Sequence, residues 1–333
     1  MVKVVDVARH AGVSTATVSR VLNKHPKVAD DLRDRVERAI AELGYTLNVA
    51  ARSLRTRKSS KILLVVPDIS NPFFGDIIRG AEEAAREAGF SIIVGDTGGD
   101  PAVENQYASL LDRQEVDGLV ILGHRVPEPI RQLLDRETPS AVPVVHACEY
   151  SPDIGLPSVH IDNFGAGADA IRHLLGLGHR HIGVVTGRLD SPLSRDRLAG
   201  AREAASAVAG AELVVAHGDF TIASGHAAAT QLAATGVTAL FCFGDEMALG
   251  ALRALADAGL DCPHDMSVIG FDDIRFARFA LPRLTTVAQP RHRMGRTTIE
   301  LLLHRLHGGL DETVSVSLPH ELVIRDSTCP PRR

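Results

Sequence analysis

Tryptophan is absent from the 333 residues, and aromatic residues together make up only 4%. Any core must therefore be filled by Ala, Val, Leu and Ile. Lysine stops at Lys61; no residue after it is a lysine. The four cysteines, Cys148, Cys242, Cys262 and Cys329, include no Cys-x-x-Cys and no metal-ligand spacing, which excludes zinc ribbons and dithiol redox motifs. Cys148 and Cys242 sit in apolar runs and read as small buried hydrophobes in a reducing cytosol. No apolar run reaches the roughly 20 residues needed to span a bilayer. The opening residues are not a secretion signal, because Lys3, Asp6 and Arg9 interrupt them. The expected location is the cytoplasm, in association with the nucleoid. The fifteen His include no His-Glu-x-x-His, and neither a metal nor an organic cofactor is expected.

What is present is unevenly distributed. Hydrophobic residues form 45% and charged residues 23%, the balance of a soluble globular protein, and the length allows two or three domains. Residues 1–61 hold five Lys and eight Arg against six acids, a net +7, so the remainder carries −12 of the total −5. A basic head on an acidic body points to a polyanion met by the head alone. A solvated basic surface would give the same charge count.

The first 45 residues read as three short helices. Val4, Val7, Ala8 and Ala11 recur at helical spacing, and Gly12 breaks the pattern. Ser14 is placed to cap a second helix with Val18, Val21 and Leu22 on one face. A third helix spans 30–43, stopped by Gly44. Residues 46–61 form a basic linker, barely helical by itself. From Ile62 the text alternates apolar strands (62–66, 91–95, 118–123, 142–147, 181–187, 212–218, 239–244 and 267–272) with amphipathic helices such as 75–88 and 247–258. Continuous apolar strands of this kind suit parallel sheets covered on both faces. Their number exceeds one ordinary sheet, so two doubly wound lobes are expected, with a late helix at 294–306 and a terminal strand at 322–325. The expected boundaries are a head at 1–46, a hinge at 47–60 and a body at 61–333. The first lobe takes about 61–160 and 291–320, and the second about 161–290 and 321–333.

The strongest motif is Asp6-Val-Ala-Arg9-His-Ala-Gly12-Val13-Ser14 followed by Thr15-Ala-Thr-Val-Ser-Arg20. It reads as a helix-turn-helix, with Gly12 at the turn and Val7, Ala8, Val13, Val18 and Val21 locking the helices. The second helix then presents Thr15, Ala16, Ser19 and Arg20. A helix fits the major groove, where arginine can donate twice to guanine. Thr15 and Ala16 suit base edges, and Ser14, Thr17, Ser19 and Asn23 suit phosphate oxygens. An ordinary three-helix bundle with a polar outer face is the competing interpretation.

The stretches DVARHAGVSTATVSRVLN and VERAIAELGYTLNVAARSLRTRKS closely resemble the DNA-binding head of the lactose-repressor (LacI/GalR) family. That resemblance implies base contacts by Thr15, Ala16 and Arg20. It also implies a hinge helix containing Asn48, Ala51 and Leu54, with Tyr45 leading into it and Leu54 wedged into the minor groove. An apolar wedge of this kind bends the duplex at a cost of a few kcal/mol. PDISNPFFGDIIRGAEEAAREAG, GHRHIGVVTG, FCFGDEMALGAL and SVIGFDD resemble the family's body, which is built like periplasmic sugar-binding proteins. The implied fold is α/β, a three-helix head plus two doubly wound parallel-sheet lobes with a ligand between them. Carried over by position, the implied effector residues are Asn71, Phe73, Phe74, Arg197, Phe220, Asp245 and Asp272. The position of a common polar pocket residue is Gly244 here. Residues 149–163, 218–221 and 279–295 resemble a subgroup with a nucleoside effector.

Gly165-Ala-Gly167 lacks the third glycine and the downstream acid of a dinucleotide loop, and a helix start rich in small residues explains it better. Ser194, His217 and Asp219 have no nucleophile-elbow context, so no catalytic residue and no enzyme is expected. The expected function is a transcriptional regulator, a repressor, that binds double-stranded operator DNA as a homodimer under control of a nucleoside or sugar. The absence of C-terminal leucine heptads favours a dimer over a tetramer. The alternative is a cytosolic sugar- or nucleoside-binding protein without operator specificity.

Overall fold

The computed structural model describes residues 2–22, 25, 27–45, 58–137, 141–151, 154–309 and 314–332. Two compact units divide the chain, Met1–Lys58 and Ser59–Arg333.

The first unit holds α1 (Val4–Ala11), α2 (Thr15–Leu22) and α3 (Asp30–Leu43). Val7, Ala8, Ala11, Val18, Val21, Val28, Val36 and Ala39 form its core. Small side chains let three short helices meet closely. Gly12 closes α1 in the left-handed region at φ 62°, which glycine adopts without a Cβ penalty. Arg35 of α3 donates to the Ala11 carbonyl at 2.7 Å, pinning the turn. The Thr17 amide donates to Ser14 Oγ at 3.1 Å, so Ser14 caps α2.

In the second unit the chain first builds β1 (Lys61–Val66), α4 (Phe73–Glu87), β2 (Ser91–Asp96), α5 (Pro101–Asp112), β3 (Gly118–Ile121), α6 (Glu128–Arg136), β4 (Val144–Ala147) and β5 (Ser158–Ile161). It then crosses into α7 (Asn163–Gly176), β6 (His181–Thr186), α8 (Pro192–Ser206), β7 (Glu212–His217), α9 (Ile222–Ala233), β8 (Ala239–Cys242), α10 (Asp245–Asp257), β9 (Ser267–Asp272) and β10 (Thr285–Ala288). It returns through α11 (Arg291–Leu306) and β11 (Ser315–Leu318), and crosses a third time into β12 (Glu321–Val323). The result is two six-stranded sheets, ordered β11-β5-β4-β3-β1-β2 and β12-β10-β9-β8-β6-β7. β12 runs antiparallel to β10; the other pairs described are parallel.

The apolar runs fold as the strands expected of them. Three further strands, β5, β10 and β11, lie in SVHI, TTVA and SVSL, where no continuous apolar run announces a strand. Their pairing is imposed by the sheets: Thr285 and Thr286 are buried in β10, and Thr286 finds a buried acceptor in Asp245 at 2.6 Å.

Glycines set how closely three helix pairs pack. A Cβ on Gly80 of α4 would lie 2.0 Å from the His292 carbonyl oxygen, and one on Gly295 of α11 would lie 1.9 Å from that of Ile77. Gly167 of α7 and Gly200 of α8 face the carbonyls of Arg197 and Phe164 in the same reciprocal way, at 2.3 and 1.9 Å. Gly225 of α9 and Gly250 of α10 repeat it against Met247 and Ile222. The small-residue start of α7 is thus a helix-packing surface.

Candidate functional site

A cavity of about 360 Å³ lies between the two sheets of the body. The segments that follow the carboxyl ends of the strands line it, as doubly wound sheets require. Pro67, Asp68 and Asn71 follow β1, His124 and Arg125 follow β3, and Cys148 and Glu149 follow β4. From the other sheet, Arg188 and Ser191 follow β6, Asp219, Phe220 and Thr221 follow β7, Asp272 ends β9, and Gln289 follows β10. The starts of α4 and α8 contribute Phe73, Phe74, Leu193 and Arg197.

Six of the seven effector residues implied by the sequence meet here. Asn71 turns its Oδ1 to the Phe73 amide at 2.9 Å, which starts α4. Phe73 and Phe74 pack edge-on, with ring centroids 5.1 Å apart. Phe220 has a left-handed backbone, φ 71°; its ring stands where a Cβ on Gly187 would be, 2.1 Å away, and a Cβ on Gly244 would meet it tightly at 3.3 Å. The departure at Gly244 therefore leaves this position bounded by the Phe220 ring. Arg197 is 3% exposed. Its Nε donates to Asn163 Oδ1 at 2.9 Å and its Nη1 to the Phe243 carbonyl at 2.6 Å, and its guanidinium lies 3.6 Å over the Phe271 ring. Burial lowers its pKa to about 10, against the opposing pull of Asp272 and Glu149. Asp272, at φ 109°, accepts from Gln289 Nε2 at 2.8 Å, and burial raises its carboxyl to about 6.

The seventh, Asp245, does not line the cavity. It is fully buried, accepting from the Ile274 amide at 2.8 Å and from Thr286 Oγ1 at 2.6 Å. Burial, then repulsion from Asp272, pushes its carboxyl well up. Position alone assigned it to the ligand; its hydrogen bonds tie it to the segment after β9 and to β10.

Sequence reasoning passed over several lining residues, chiefly Glu149, Ser191, His124, Arg125 and Gln289. The rule that ligands meet the carboxyl ends of strands would have flagged each one. Arg125 is engaged by Glu104, Nε to Oε2 at 3.1 Å, and by the Gly99 carbonyl. Burial lowers the pKa of His124, whose Nε2 lies 3.7 Å from Asp190 Oδ2. Ser191 donates to Glu149 Oε1 at 2.7 Å.

In the head, α2 buries Val18 and Val21 and leaves Thr15, Ala16 and Arg20 exposed, with Ser19 half-buried beside them. Thr17 Oγ1 lies 3.0 Å from Ser14 Oγ, so both hydroxyls already serve the helix start. Tyr45 packs on the head core. Asn23, Asn48, Ala51 and Leu54 lie outside the described residues.

Residues 3–48 match the model of bacterial regulatory proteins of the lacI family, and residues 171–328 match that of the periplasmic binding protein-like domain. The HTH-type transcriptional repressor CytR of Escherichia coli K12 is 40% identical over 97% of this chain and 95% of its own length. The chain belongs to the lacI family. The PurR repressor of Salmonella newport is 36% identical over 98% of the chain and 97% of its own. Among solved structures, the Lac repressor dimer bound to operator and the anti-inducer ONPF superposes with a TM-score of 0.87 at 29% identity, covering 98% of this chain and 99% of that one. The transcriptional regulator CelR in complex with cellobiose gives 0.74 at 35% identity, covering 98% and 100%. This lacI-family chain is a DNA-binding transcriptional repressor, a reading supported over that of a binding protein without operator specificity. These relatives are transcription regulators. Among the described residues, no helix is long and apolar enough to cross a membrane.

Proposed function

We propose that the protein binds a pseudopalindromic operator as a homodimer in the cytoplasm, at the nucleoid, without enzymatic activity. Thr15, Ala16 and Arg20 read base edges, while Ser14, Thr17, Ser19 and Asn23 hold phosphates. Asn48, Ala51 and Leu54 belong to a hinge at 47–60 between a head at 1–46 and a body at 61–333, and Leu54 enters the minor groove. The body's lobes take about 61–160 with 291–320, and 161–290 with 321–333.

A nucleoside or sugar held by Asn71, Phe73, Phe74, Arg197, Phe220 and Asp272 controls operator affinity. The observation that carries this reading is the cavity between the sheets, about 360 Å³, within the roughly 300–1,000 Å³ usual for small-molecule pockets. Its aromatic walls suit the face of a sugar or base, and Arg197 and Asp272 suit hydroxyls. The CelR structure with cellobiose and the Lac repressor dimer with operator and ONPF are relatives whose assemblies support it. Effector and operator then share one coupling free energy, typically about 1–3 kcal/mol, felt equally by both ligands.

The test is selection of a preferred duplex from a random pool, followed by titration of that complex with nucleosides and sugars. A single enriched two-fold site, released or tightened by one of these ligands, is the expected result. Equal weak binding to every duplex, unchanged by all ligands, would overturn the proposal.

A further inference from the structure

The four cysteines are free thiols. Cys148 and Cys242 are buried, whereas Cys262 and Cys329 are only half-buried. Cys262 lies between α10 and β9, and Cys329 lies in the terminal segment beyond β12. Each meets the backbone of the other's segment. Cys329 Sγ is 3.3 Å from the carbonyl oxygen of Pro263, the residue after Cys262. Cys262 Sγ is 3.6 Å from the carbonyl oxygen of Ser327, two residues before Cys329. The contacts are reciprocal, so two thiols remote in sequence meet at one seam, a pairing that no Cys-x-x-Cys spacing announces.

Both backbones at the seam are pinned. The Cys329 amide donates to Ser267 Oγ at 3.0 Å, and Ser267 Oγ donates to the Cys329 carbonyl at 3.1 Å. His179 Nε2 lies 2.8 Å from the same carbonyl oxygen. The Val268 amide donates to the Ser327 carbonyl at 2.8 Å, and Ser327 Oγ donates to the Val268 carbonyl at 2.6 Å. The thiols therefore sit on a fixed frame, and their side-chain torsions are what remain to turn. His179, Cys262 and Ser267 precede or open β6 and β9, so the seam lies at the amino ends of the strands. The cavity lies at their carboxyl ends.

We propose that Cys262 and Cys329 are a redox-active pair: a small-molecule disulfide oxidises the two thiols to a Cys262–Cys329 disulfide, which staples the terminal segment to the loop before β9. Under reducing conditions the pair rests as two thiols. Once closed, the link shortens the unfolded chain's reach between its ends and so stabilises the second lobe. The stapled segment already bonds the lobe's core, since Ser327 Oγ accepts from the Thr285 amide of β10 at 2.8 Å.

The order of attack follows from the surroundings. Burial pushes the Cys262 thiol up to about 12, and the charges of Asp261 and of Cys329 itself push the same way, against the pull of the Val268 amide. Cys262 is therefore the slower nucleophile, and Cys329 meets the oxidant first. The Cys329 thiolate attacks one sulfur of the small disulfide, the S–S bond breaks, and one thiolate leaves. Cys262 then gives its proton to solvent and attacks Cys329 Sγ of the mixed disulfide, expelling the second thiolate. Two protein thiols are oxidised, and one oxidant disulfide is reduced to two thiols.

The experiment incubates the reduced full chain with glutathione disulfide, quenches with acid, and maps the cysteines by peptide mass spectrometry beside thermal melts. A disulfide closes only where the Cα atoms lie within about 7 Å, so a link formed in the folded chain measures the seam directly. The expected product joins Cys262 to Cys329, and the titratable thiols of the denatured chain fall from four to two. Its melting temperature should rise by about 5–15 °C and return with dithiothreitol. C262S should stop at a glutathione adduct on Cys329, and C329S should gain neither link nor rise. A wild-type chain that keeps four thiols, carries only glutathione adducts, forms the link only in urea, or melts no higher once linked would overturn the inference. Each of those results leaves the operator and effector readings standing.

Discussion

Replacing Asp245 with alanine separates a ligand contact from a structural one. Its carboxylate satisfies two buried donors, the Ile274 amide and the Thr286 hydroxyl. Each donor stranded without a partner costs about 1–3 kcal/mol. Some of that loss is offset, because the buried carboxyl is itself costly. A net destabilisation of about 3 kcal/mol follows, or ~6–12 °C in melting temperature at ~2–4 °C per kcal/mol.

The pH dependence of that loss has a definite sign. Burial raises the Asp245 pKa in the fold. Its contribution is therefore fully present below the unfolded carboxylate value and is lost as pH rises through the folded one. The gap between wild type and D245A should accordingly be wider at pH 5 than at pH 8. Thermal melts at both pH values check this, with effector titration at a temperature where both proteins are folded. A D245A protein that melts at the wild-type temperature but has lost the effector would refute the reasoning and return Asp245 to the binding surface.

Arg20→Ala should relax sequence preference at one base pair by about 1–3 kcal/mol. Binding to a panel of single-base operator variants checks this, and an equal loss on every duplex would argue against base reading. Leu54→Ala should weaken operator binding and leave effector binding in place; an unchanged bend angle in the mutant complex would contradict a wedge. Gly200→Ala would set a Cβ 1.9 Å from the Phe164 carbonyl oxygen. Forcing α7 from α8 should cost about 1–3 kcal/mol and also weaken effector binding, because Asn163 and Arg197 lie on those two helices. Melting and titration of the one variant should therefore move together.

The sequence was informative where physics acts locally. Gly12, Ser14 and the Val7–Val18–Val21 spacing specify a helix-turn-helix without help from the rest of the chain, and runs such as ILLVV and SVIGFD admit few fates besides buried strands. It was less informative where tertiary structure decides. β10 carries two threonines that enter a buried strand because Asp245 and its neighbours receive them. Asp245 and Asp272 look alike as acids beside apolar strands, yet one faces the cavity and the other lies beneath it. Glu149 shows neither a motif nor a periodic pattern. Its hydroxyl partner is Ser191, forty-two residues away, and only the folded chain brings them together.

The triple crossing of the chain has a consequence for biosynthesis. Helix α11 covers β3, β4 and β5 of the first sheet, but it is encoded after the whole second lobe, at Arg291–Leu306. A nascent chain that has finished β1 to β5 therefore exposes an uncovered apolar face while another 130 or so residues emerge, at typical synthesis rates of ~5–20 residues per second. The lobe that begins first is covered only after β6 to β10 of the second have been made. Truncation before residue 291 would remove that cover, and we expect such fragments to depend on chaperones in a way the intact chain does not.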